Sequence, residues 1–180
     1  KEVLQWREQR PDIIYIFSKD ILRHRRAQKE DAVWLKKGEE YKDETLSVRA
    51  FGSTDVGVSF LLQASGKKIF HAGDLNNWHW MDESTEAEWK GAEKNFLHEL
   101  DDLYAYTPEV DVAMFPVDPR LGKEYMRGAG QFVTKIKTHI FVPMHFTPEY
   151  AKANAFRDFA EAHGVRFVSL THRGQKIEIE

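Results

Sequence analysis

The sequence predicts a layered α/β domain, and three observations point there. Residues 46–51, 56–63 and 67–72 are short runs of β-formers, with a Ser65-Gly66 turn before the last, so they read as an antiparallel meander. From residue 83 onward, helical and extended patterns alternate, as expected for helices covering a sheet. The chain has 180 residues, 42% of them hydrophobic, which suits one domain over 1–180 with a sizeable core.

Each element has a local reason. Residues 2–8 read as a short helix with Val3, Leu4 and Trp6 apolar, broken at Arg10-Pro11-Asp12. Residues 13–17 are a buried strand, and Ser18 is a good N-cap for a helix over 19–26. The basic run Arg23-His24-Arg25-Arg26 reads as that helix's solvated end. Residues 35–43 are polar and turn-rich. In residues 83–104, Trp89, Ala92, Phe96, Leu100 and Leu103 recur at three and four positions, making one apolar stripe that Pro108 ends. A buried strand over 110–117, a helix over 123–137 and a strand over 139–143 follow. Thr147 as N-cap and Pro148 at the first position open a third helix that Gly164 closes. Residues 165–170 and 176–179 end the chain as strands.

Composition excludes several functions. A formal charge of −3 argues against a nucleic-acid partner, because phosphate binding needs clustered positive charge. No run approaches the ~20 apolar residues of a membrane span, and no signal peptide is evident. With no cysteine there is no disulfide framework, thiolate metal site or thiol nucleophile. Any metal must be held by His and carboxylate, which suits Zn²⁺, Fe or Mn²⁺. A cytoplasmic setting is the default expectation.

Two strand ends carry candidate chemistry. Ile69-Phe70-His71-Ala72-Gly73-Asp74 is an apolar strand closing on Gly-Asp, which reads as a simple turn or as a carboxylate presented at a strand end. Val142-Pro143-Met144-His145 closes another strand on a histidine, either a half-buried ring bonded to a carbonyl or a ligand. Taken together, Asp74 and His145 are metal-competent side chains on neighbouring strand ends. Asn76-Asn77-Trp78-His79-Trp80 follows the first. Asn76 and Trp78 are candidate substrate contacts, and His79 is a candidate proton donor or a core histidine. Arg120 and Tyr125 are further candidates for the same mouth, and His71 reads as structural.

His71-Ala72-Gly73-Asp74-Leu75-Asn76 resembles the Gly-Asp motif of the metallo-β-lactamase-fold hydrolases, and Val142-Pro143-Met144-His145 is similar to their last histidine motif. Val56-Gly57-Val58-Ser59-Phe60 and the segment Val112 to Gly122 look like those of a branch related to ascorbate-phosphate lactonase-like proteins. The resemblance runs in order through most of residues 46–146. It implies a layered αββα fold and two divalent ions, Zn or Mn. Asp74 would bridge them as a catalytic carboxylate, and His145 would be a terminal ligand. The expected activity is hydrolysis of an ester, lactone or phosphoester of a small molecule by a metal-activated water.

The sequence departs from that pattern twice. It lacks the His-x-His-x-Asp-His motif, so the expectation is the C-terminal three quarters of such a fold, with metal bound weakly or not at all by this chain. The middle histidine is also absent: Phe51-Gly52-Ser53-Thr54-Asp55 stands there, making Asp55 a substitute ligand or a solvated loop residue. The alternatives are a non-catalytic module without a complete metal site, and a single-metal enzyme of sugar phosphates using His79 and His145 with Asp74 as base. An unpaired sheet edge would make a homo-oligomer a further expectation.

Overall fold

The computed structural model describes residues 2–23 and 28–178. In chain order the elements are α1 (Glu2–Gln9), β1 (Ile16–Ser18), β2 (Val33–Leu35), β3 (Glu40–Lys42), β4 (Leu46–Phe51), β5 (Ser59–Ala64), β6 (Lys67–His71), α2 (Glu86–Tyr106), β7 (Glu109–Pro116), α3 (Arg127–Lys135), β8 (Lys137–Met144), α4 (Tyr150–Asn154), α5 (Arg157–Ala162) and β9 (Arg166–Phe167). Short 3-10 turns cover Lys19–Arg23, Lys29–Asp31 and Pro119–Glu124.

Strands β3 to β9 form one seven-stranded sheet in sequence order. The β3–β6 half is antiparallel, and β6 to β9 run parallel. Tight turns can join the first kind, whereas the second needs crossovers, which α2, α3 and the α4–α5 pair supply. Register follows from side-chain alternation. Leu61, Phe70, Ala113, Phe141 and Phe167 pair across five strands and face the helices. Leu62, Ile69, Val112 and Ile140 form the neighbouring row on the other face. A slip of one residue would exchange the two rows, so register is strongly specified.

The main core lies between sheet and helices and is largely aromatic. Phe115 stacks on Phe132 at 4.6 Å between ring centroids and meets Phe96 edge-on at 6.1 Å. Helix α2 starts with Thr85 and Glu88 in a capping box and buries Phe96, Leu100 and Leu103. On the opposite face, β1 and β2 pair in parallel, and Ile16, Val33 and Leu35 pack near Val48 and Ala50. Among the described residues, no helix is long and apolar enough to cross a membrane.

Several boundaries differ from expectation. Residues 35–43 contain strand β3, whose Glu40-Tyr41-Lys42 is polar because it is a sheet edge, with only its inner side paired to β4. β5 begins at Ser59 because Gly57 takes a φ of 80° and the chain is still turning there. The helix expected over 123–137 is a 3-10 turn followed by α3, and Gly122, at φ 81°, breaks that turn. The third helix is split into α4 and α5. It starts at Tyr150 with Glu149 in the N-cap position, not with Thr147 as N-cap and Pro148 first, and Thr147, at a φ of 33°, lacks the extended backbone of an N-cap. Gly164 does close α5, at φ 74°. Residues 176–178 form no strand, and 179 lies outside the described residues, as do 24–26 of the expected second helix.

Candidate metal centre

Three adjacent parallel strands end at one level, and each releases an ionisable side chain there. Asp74 follows β6, Asp118 follows β7 and His145 follows β8. The carboxyl ends of parallel strands are where open α/β sheets bind ligands, because the chain must leave the sheet there and loops form a crevice.

The Asp74 loop is fixed from several sides. Gly73 has a φ of 57°, and a Cβ there would sit 2.9 Å from the Val58 carbonyl oxygen, so only glycine fits. The Gly73 amide donates to His71 Nδ1 at 3.0 Å. Burial pushes the His71 pKa down, with the nearby His145 adding to the effect, although the residue's outer edge meets solvent. Thr54 Oγ1 donates to the Asn76 carbonyl at 2.6 Å and accepts from the Asn76 amide at 3.0 Å. Asn77 Nδ2 donates to Gln131 Oε1 at 2.9 Å and to Glu93 Oε1 at 3.2 Å, tying the loop to α3 and α2. Trp78 Nε1 donates to the Asp74 carbonyl at 2.7 Å.

His145 Nε2 lies 2.8 Å from Asp74 Oδ1, and His145 Nδ1 lies 3.5 Å from Asp118 Oδ2. Asp118 is 1% exposed and receives the Arg120 guanidinium through Nε and Nη2. Burial raises the Asp118 pKa, but the bonds from Arg120 and the approach of His145 outweigh it, so the carboxyl sits below its ordinary range. His145 has a φ of 66°, a left-handed backbone that directs its ring back over the strand ends.

The pair fits part of a metal site. Two ligands about 2.0–2.2 Å from one ion sit roughly 3 Å apart, close to the observed separation, and a carboxylate on the far histidine nitrogen is the usual orienting partner. Yet among the described residues no group of three or more His, Asp or Glu side chains is placed to hold an ion. Two donors fall short of the three or four protein ligands of a stable zinc site. Asp55 does not supply the third: it is exposed in the 52–58 loop, where its amide bonds Ser53 Oγ at 3.3 Å. The loop turns it to water, as a solvated aspartate.

Two other expectations need correcting. Asn76 is fully buried with its side-chain amide unpartnered, and a Cβ on Gly128 of α3 would fall 2.0 Å from its Oδ1. It is enclosed beneath α3, not presented to a substrate. His79 is 1% exposed and does not stand at a mouth. Its Nδ1 accepts from the Met81 amide at 3.1 Å, so Nε2 donates to the Glu124 carbonyl at 3.2 Å. With both nitrogens occupied by backbone, His79 holds two loops together. His79→Ala should therefore cost about 1–3 kcal/mol, by removing a buried ring together with its bonds to the Met81 amide and the Glu124 carbonyl. A lowered thermal midpoint with unchanged kinetics of the folded fraction is expected. An unchanged midpoint with lost turnover would restore the catalytic role.

Tyr125 donates to the Lys152 carbonyl at 3.0 Å, and Arg120 is spent on Asp118. Asp118 itself was not foreseen as a site residue.

No family model matches the chain, and no curated protein matches it. Solved structures do. The metallo hydrolase Igni18 from the archaeon Ignicoccus hospitalis superposes with a TM-score of 0.63 and 14% identity, covering 94% of this chain and 70% of that one. A protein from Parabacteroides distasonis, assigned as a metal-dependent hydrolase, gives a TM-score of 0.59 and 15% identity over 87% of this chain and 64% of that one. A further neighbour from Thermotoga maritima, assigned as a zinc-dependent hydrolase of the metallo-β-lactamase superfamily, covers 72% of this chain and 58% of that one at 20% identity and a TM-score of 0.43. The chain thus shares the layered α/β fold of the Ignicoccus and Parabacteroides proteins. The chain spans about two thirds of the length of the first two neighbours.

Proposed function

We propose that this chain is part of a metal-dependent hydrolase of small-molecule esters, lactones or phosphoesters. The observation that carries the reading is the convergence of His145 Nε2 on Asp74 Oδ1 at 2.8 Å, with buried Asp118 behind the ring. Asp74 and His145 would hold the metal, Zn²⁺ or Mn²⁺, with Asp74 serving two ions and His145 one, and further ligands would be needed to complete the centre. When bound, such ions polarise the scissile group and make water a nucleophile at neutral pH. The chain's own residues orient the centre. Asp118 stands 3.5 Å behind His145 Nδ1 and would fix the ring by its charge, Arg120 holds Asp118, and Trp78 clamps the Asp74 backbone and would flank the substrate.

The absence of a third donor among the described residues favours one rival, a module of this fold that binds no metal. Metal analysis separates the two. This chain alone should lose zinc on dialysis, whereas a protein extended to the length of its structural neighbours should retain it. Near-stoichiometric zinc in this chain would show that two ligands suffice and refute the shared site. A metal-free extended protein would leave the non-catalytic reading.

A further inference from the structure

Among the described residues, three of the four non-glycine residues with positive φ lie near the candidate centre: Trp80 at 42°, His145 at 66° and Thr147 at 33°. The fourth, Ser65, sits in the ordinary hairpin turn between β5 and β6. A bulky residue such as tryptophan is strained in this region and persists only where its surroundings over-determine it. Here they do. The Trp80 carbonyl accepts from the amides of both Glu83 and Ser84 at 2.9 Å, and His79 anchors the preceding residue in the interior. The strained backbone places Trp80 against Trp78, with ring planes 16° apart and centroids at 6.4 Å. Trp78 in turn meets the His145 ring edge-on at 5.6 Å. Neither indole is in the core. Both are half-buried, while the large core side chains such as Phe115 and Phe132 are fully enclosed. Strain has been spent on keeping two large aromatic faces near water, beside the ionisable cluster.

We propose that Trp78 and Trp80 form a stacking platform for a planar aromatic ring of the substrate, so that the preferred substrates are aryl esters or aryl phosphoesters. This rests on the hydrolase reading only in making the ring part of a substrate; ring binding itself needs no metal. An indole pair prefers a flat π-face, which stacks on it in offset geometry, over an alkyl chain of similar size. Trp78 cannot swing away, because its Nε1–H is held by the Asp74 carbonyl. The stack therefore starts at the residue that carries the candidate metal carboxylate, and a ring seated on it holds the scissile bond beside Asp74 and His145. The platform meets solvent, since both indoles are half-buried. A cavity of about 640 Å³ lies elsewhere, among Ser18, Lys36, Gly52 and Glu99, and its lining contains neither Asp74 nor His145.

The test is binding of phenylphosphonate and methylphosphonate to the purified protein, followed by the indole N–H resonances, with and without added zinc. Phenylphosphonate should bind roughly 3- to 10-fold more tightly, the range one ring–ring contact provides. It should move the Trp78 and Trp80 signals. Trp80→Gly should abolish the preference. Glycine is at ease at a φ of 42°, so this variant removes the ring while relieving the backbone, and Trp80→Asn, which also tolerates this region, repeats the test. Equal binding of the two probes, no binding of either, or a phenyl preference that survives in both variants would overturn the platform. A preference that appears without any zinc dependence upholds the platform and leaves the metal reading to the dialysis test above. Zinc-dependent binding of both probes without preference overturns the platform and supports the metal reading.

Discussion

Replacing Phe115 by alanine should lower the unfolding free energy by about 3–5 kcal/mol, a large share of the roughly 5–15 kcal/mol that holds a domain together. Phe115 has no exposed surface and lies on β7, in the middle of the parallel half of the sheet. Its ring touches three others: Phe132 of α3 at 4.6 Å, Phe96 of α2 at 6.1 Å and Phe141 of β8 at 6.3 Å. Truncation removes the transfer energy of the ring and leaves a cavity walled by aromatic rings on two helices and a strand, which cannot all close in together. Phe115→Leu fills part of that space and should cost distinctly less. Urea denaturation of the two variants checks this. A loss under 1 kcal/mol for Phe115→Ala would mean that the helices do not pack on the sheet as described. The effect reaches the site, because β7 carries Asp118 two residues past its end.

Much of this was legible in the residues, for physical reasons. Strands β4, β6, β7 and β8 and helix α2 are buried on at least one side, so their apolar spacing carries the signal. Strand β3 was not legible, since an edge strand with a solvated outer side looks like a polar loop. The break between α4 and α5 leaves no proline or glycine in Tyr150–Ala162 to announce it. At the site, the strand-end positions of Asp74 and His145 could be read because each ends an apolar run. Asp118 gives the same signal, a charge directly after Val110 to Val117, but Pro119 makes it resemble a turn. Applying one rule to all three strand ends would have found it. His79 shows the opposite limit. A histidine between two tryptophans reads alike at a pocket mouth and in a core, and only the Met81 amide and Glu124 carbonyl decide which.

The second large effect is chemical and belongs to the protein with its full ligand set. Asp74→Ala should lower turnover by more than the roughly 10- to 100-fold that losing an outer partner of a metal ligand costs. His145→Ala should cost less than Asp74→Ala in the proposed arrangement, where Asp74 would serve two ions and His145 one. Asp118→Asn, which keeps the shape but weakens the acceptor behind His145 Nδ1, should fall within the 10- to 100-fold range. The Asp74 variant is a clean one. The contacts that shape its loop use backbone atoms, namely the Asp74 carbonyl to Trp78 Nε1 and the Asn76 amide and carbonyl to Thr54, and all of them survive the change. Lost activity can therefore be read as lost ligation rather than a collapsed loop, provided bound metal falls with it. Metal content and turnover of an aryl phosphodiester, measured on all three variants, give the order of effects. Undiminished activity in Asp74→Ala would sink the two-ion arrangement whatever happens at His145, and equal losses at Asp74 and His145 would point to a single ion held by both.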